Sequence, residues 1–92
     1  MSDLQVKVNN LEIKLEKSLL SLEDKLQNYF INETDKEKYI EYLTQGKRFQ
    51  AALSNSVKNG DFEQKISNDK IKKLQLINEY CNILDKILIN FN

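Results

Sequence analysis

From residue 3 to residue 58 the chain holds one glycine, Gly46, and it has no proline anywhere. With Gly60 as the only other glycine, turn residues are too sparse to close the hairpins of a many-stranded sheet, so an all-β fold is excluded. The apolar residues instead recur at helical period. At 100° per residue, Leu4, Val8, Leu11, Leu15, Leu19, Leu22, Leu26 and Tyr29 fall within about 80° of arc. Their spacing averages close to ~3.6 residues rather than 3.5, so the sequence predicts a nearly straight helix over residues 3–30 rather than a supercoiled one.

A second, thinner line of Val6, Ile13, Leu20 and Ile31 lies opposite this stripe. Two readings fit it. Single apolar residues are common on surfaces, or the first helix lies between its own domain and a second chain.

Thr34-Asp35-Lys36-Glu37 has the form of a capping box, in which the Thr34 hydroxyl accepts from the Glu37 amide while the Glu37 carboxylate reaches back. It predicts a second helix over 35–58. Tyr39, Tyr42, Leu43, Gly46, Phe49, Leu53 and Val57 share one face of that helix. A glycine inside a helix costs on the order of 1 kcal/mol relative to alanine. Gly46 therefore marks either a close approach by another helix or a break after Leu43. At Lys58-Asn59-Gly60-Asp61 the helix is expected to end, with Gly60 in the left-handed position and Lys58 complementing the dipole.

Ser67, Asn68 and Asp69 are each good caps for a last helix over 68–90, and Phe62 to Ile66 form a short turn before it or its first turn. Leu74, Leu76, Ile77, Tyr80, Cys81, Ile83, Leu84, Ile87, Leu88 and Phe91 join Ile66 in covering half of its circumference. Such a face suits two neighbours and predicts that this helix is the hydrophobic centre. The expected fold is all-α and one domain, either an up-down-up three-helix bundle or a long hairpin with a third helix packed along it. At 10.8 kDa such a domain would expose roughly 5,500 Å² when folded.

Fourteen basic residues balance fourteen acidic ones, so no electrostatic footprint for nucleic acid or anionic lipid is present. The apolar run from Ile83 to Ile89 is interrupted by Asp85 and Lys86 and is too short for a bilayer. The first residues lack the basic and apolar regions of a signal peptide, and the lone Cys81 fits a reducing compartment. These features together predict a cytoplasmic protein without nucleic-acid or membrane partners.

The chain has no histidine, which removes the commonest general base and transition-metal ligand. The acidic pairs Glu23/Asp24 and Asp35/Glu37 lie among lysines on polar faces, away from the apolar cleft that a catalytic carboxylate needs. Cys81 sits on an apolar face with neither a histidine nor a helix N-terminus to lower its pKa, and reads as an inert core thiol. Neither a phosphate loop nor a metal-ligand set is found, so no catalytic, cofactor or metal site is expected. Lys65, Lys70, Lys72 and Lys73 form the best basic patch, interrupted by Asp69. Aromatic residues on apolar stripes serve as core or interface anchors. The candidate partner-binding residues are thus Val6, Ile13, Leu20, Ile31, Tyr39, Tyr42 and Phe49, on a non-enzymatic module expected to form a dimer or a hetero-complex.

Over residues 4–57, Leu4 and Leu11-Glu12 on the first helix, with Asp35-x-x-x-Tyr39, Lys47, Phe49, Ala52 and Leu53 on the second, resemble the small E-type co-chaperones of type III secretion needle subunits. The resemblance implies a partner, a helical-repeat chaperone, and a role in keeping the needle subunit from polymerising in the cytoplasm. The third helix goes beyond that hairpin pattern. A small phage- or plasmid-type regulator or inhibitor would also be short, lysine-rich and helical; an outward-facing patch from Lys65 to Lys73 would favour it.

Overall fold

The structure, a computed structural model, describes residues 3–63 and 67–91. It contains three helices, α1 (Asp3–Asn28), α2 (Glu33–Lys58) and α3 (Asn68–Ile89). The cross-helix pairs fix their directions. Lys14 meets Asn82 and Ser18 meets Asp85, so α1 and α3 run parallel, whereas Tyr39 meets Phe91 and Phe49 meets Tyr80, so α2 runs against α3. This is the up-down-up bundle, the first of the two expected arrangements. Its extents of 46 × 19 × 19 Å and radius of gyration of 14.6 Å exceed the ~12 Å of an average fold of this length. The accessible surface, 6558 Å², is likewise above the ~5,500 Å² expected from mass. Three long helices give a rod, and a rod leaves more side chains at the surface.

The first helix stops two residues earlier than its stripe predicts. The Asn28 side-chain amide donates to the Asp24 carbonyl at 3.0 Å and to its carboxylate at 2.7 Å, and the Tyr29 N–H donates to the Lys25 carbonyl at 3.0 Å. Residues 29–32 then cross to α2. The cap also lies elsewhere than predicted: Asn32, not Thr34, is the N-cap. Asn32 Oδ1 accepts from the Asp35 amide and Asn32 Nδ2 donates to Asp35 Oδ2, both at 2.9 Å. Asparagine caps more strongly than threonine, and this reciprocal pair starts the helix two residues sooner, leaving Thr34 and Glu37 exposed within it.

The end of α2 matches expectation. Asp61 N–H donates to Ser56 O and Gly60 N–H to Val57 O, with Gly60 at φ 72°; this is the Schellman arrangement, which needs a left-handed residue. Ser67 caps α3. Lys65 and Ile66, named above for the basic patch and the last helix, lie outside the described residues.

Buried Val8, Leu15, Leu19 and Leu22 of α1 meet Ile77, Tyr80, Cys81, Leu84 and Ile87 of α3 and Leu53 of α2, with Phe62 closing the turn after α2. The expected centre is corrected in one respect. Helix α3 supplies the most buried hydrophobic side chains, but α1 is the helix that packs extensively against both others, and α2 meets α3 at few positions. The wide face of α3 is therefore not consumed, and Leu76 and Ile83 remain exposed.

Helix α2 is continuous through Gly46, which decides for close approach over a break. A Cβ there would overlap Leu19 Cδ2 and come within 3.1 Å of Tyr80 Cε1. The three helices converge at this point. Tyr80 donates its hydroxyl to the Tyr42 carbonyl, and burial is the main cause that pushes its pKa up to about 12.

Candidate functional site

The seven candidate partner-binding residues occupy three separate places. Val6, Ile13 and Leu20 stand 45%, 51% and 60% exposed on the outer face of α1, as the line opposite the core stripe requires. Ile31 is not on that helix. It lies half-buried in the 29–32 connection and lines a hollow of about 400 Å³ with Tyr39 and Phe91.

Tyr39, Tyr42 and Phe49 are half-buried in the α2–α3 seam. Tyr39 stands edge-on to Phe91 at 5.9 Å, and Tyr42 and Phe49 meet Tyr80 at 6.0 and 5.1 Å between centroids. Edge-to-face pairs of this kind add about 0.5–1.5 kcal/mol beyond area burial. Much of the ring surface read as interface from the sequence is thus used within the chain.

Two surfaces were missed from the sequence. Phe30 is 99% exposed at the tip between α1 and α2, beside exposed Tyr29 and near the α3 end where Ile89 is also exposed. The signal was available: Tyr29-Phe30-Ile31 is an apolar run outside any helix, a pattern that exposed loops avoid unless it is used. The second is a groove of about 590 Å³ between the N-terminal halves of α1 and α3, floored by Leu4, Leu11, Ile71 and Leu74. No one-helix pattern reveals it, because it depends on how two stripes meet.

Burial is the largest cause that raises the pKa of Cys81, with Lys14 acting against it and Asp85 with it; this keeps the thiol protonated and unreactive at neutral pH. Glu23 pairs with Lys47 at 3.6 Å. Lys70 turns inward to the Asp61 carbonyl at 3.2 Å while Lys72 and Lys73 are exposed, so these lysines do not share one outward patch. Among the described residues, no group of three or more His, Cys, Asp or Glu side chains is placed to hold a metal ion, and no helix is long and apolar enough to cross a membrane.

Comparison with protein-family models, with curated proteins and with solved structures finds no match.

Proposed function

We propose that this chain is a non-enzymatic, cytoplasmic module that binds another protein through exposed apolar helix surface. The observation that carries the reading is the line Val6, Ile13 and Leu20, which the chain's own packing leaves 45% to 60% exposed. Full burial of one such side chain is worth roughly 1.5–3 kcal/mol, so completing the burial of three that are already half covered contributes about 2–5 kcal/mol. Association alone costs an estimated 4–15 kcal/mol. A partner must therefore cover more than this line, and neighbouring apolar surface belongs to the same interface.

The finer form of the proposal is a co-chaperone that shields an apolar helix of a secretion subunit, supported by the resemblance over residues 4–57. A regulator acting through a basic patch has less support, since Lys70 is turned inward.

The test is Ile13→Lys with Leu20→Lys. Both sites are exposed, so the double variant is expected to keep its helical circular dichroism and melting temperature while losing self-association in sedimentation and losing a stoichiometric partner in pull-downs from its native cytoplasm. A variant that folds and keeps every partner overturns this assignment.

A further inference from the structure

The α1–α3 groove carries an inference about what the partner looks like, resting on the reading of the chain as a protein-binding module. In a chain of zero formal net charge, the charged residues lining this groove are all cationic: Lys7 and Lys14, with three side-chain amides and no carboxylate. Lys14 Nζ donates to Asn82 Oδ1 at 3.1 Å, which positions the ammonium without neutralising it. Neither lysine has a carboxylate partner; the ion pair found among the described residues is Lys47–Glu23. Lys7 and Lys14 are two helical turns apart, about 10 Å along α1. Beneath them runs the apolar floor of Leu4, Leu11, Ile71 and Leu74.

We propose that this groove seats an amphipathic α-helix of a partner protein, two to three turns long, whose apolar edge is flanked by two carboxylates about seven residues apart that Lys7 and Lys14 receive. Charge complementarity selects the acidic partner. The shape selects a helix: a trough between two parallel helices about 15 Å long takes apolar side chains at i, i+3 or i+4, and i+7, whereas a flat lipid surface cannot reach its floor.

The experiment titrates the full-length 15N-labelled chain with a synthetic helical peptide of about twelve residues, carrying leucines at helical spacing and two glutamates seven apart. A control peptide has lysines in place of both glutamates. The glutamate peptide is expected to shift the amides of residues 4–14 and 71–78. Lys7→Glu with Lys14→Glu should weaken that binding at least roughly ten-fold and reverse the preference between the peptides. Both substitutions lie on the groove wall outside the buried core, and an unchanged melting temperature verifies the fold.

Absent groove shifts, equal binding of both peptides, competition by phosphatidylserine vesicles, or self-association that depends on Lys7 and Lys14 would each overturn the proposal. If the peptide fails while Ile13→Lys with Leu20→Lys still abolishes association, the groove assignment alone is lost. If neither surface responds, the protein-binding reading falls with it.

Discussion

The same two helices, α1 and α3, close completely along one half of their seam and stay apart along the other. In the closed half Leu15, Leu22, Cys81 and Leu84 are fully buried, and the Ser18 hydroxyl donates to Asp85 at 3.0 Å. In the open half Val8, which also lines the groove, is buried, but Leu4, Leu11 and Leu74 are only half-buried and Ile71 is exposed. Hydrophobicity does not explain the difference, because both halves are rich in leucine and isoleucine. Side-chain size and the close approach of α2 at Gly46 do. Ser18 and Cys81 are small, so the closed half packs around short side chains, and there Gly46 lets α2 press on Leu19. The open half offers Leu11 against Leu74 and ends in Lys7, Asn10 and Asn78, which keep their polar heads in water.

The largest effect should come from truncating one leucine in each half. Leu84→Ala removes a fully buried side chain and is expected to cost about 2–5 kcal/mol in urea unfolding. Leu11→Ala should cost less than half as much, since the lost atoms already touch solvent. Equal costs would show the groove to be packed shut in solution and would erase the contrast.

Gly46→Ala comes next. Helix propensity would favour alanine by about 1 kcal/mol, but the added methyl must displace Leu19 and crowd Tyr80. The net result is expected to be a loss of about 1–3 kcal/mol, with hydrogen exchange quickened in the closed half and unchanged beside the groove. A gain in stability would mean that α2 does not hold the closed half together.

The smallest effect is one of pH. The pKa of Tyr80 is raised to about 12 in the fold from an ordinary 10.0, so folding favours the protonated phenol. That contribution is fully present below pH 10, where the unfolded chain also keeps its proton, and is lost between pH 10 and about pH 12 as the unfolded chain ionises first. Tyr80→Phe should flatten the fall of stability over this interval and remove a late-ionising phenol from the alkaline absorbance titration. An unaltered alkaline profile would place the Tyr80 hydroxyl in water.

Much of the fold was legible because it depends on one helix at a time. The stripe from Leu4 to Leu26, the stop at Gly60 and the exposure of Val6, Ile13 and Leu20 follow from period and capping chemistry alone, whereas Ser67, Asn68 and Asp69 are each good caps and the structure selects Ser67. What was not legible involves pairs. Asn32 and Thr34 both satisfy the pattern of a cap, and the reciprocal contact with Asp35 decides between them. Tyr39, Tyr42 and Phe49 share a face, but only the positions of Tyr80 and Phe91 reveal that their rings are engaged within the chain. The breadth of the α3 face predicts two neighbours, yet breadth does not say how closely each approaches, and Leu76 and Ile83 remain exposed.

Gly46 has a further consequence, for uniqueness rather than strength. A three-helix rod with regular leucine stripes could in principle slide one helix along another by a turn and bury nearly as much apolar surface. Here the residues one turn away from Gly46 on the packed side of α2 are Tyr42, Leu43, Phe49 and Gln50, and any of these would drive a full side chain into the space that Leu19 and Tyr80 already fill. A single missing Cβ thus acts as an index notch, selecting one register of α2 among several otherwise similar ones.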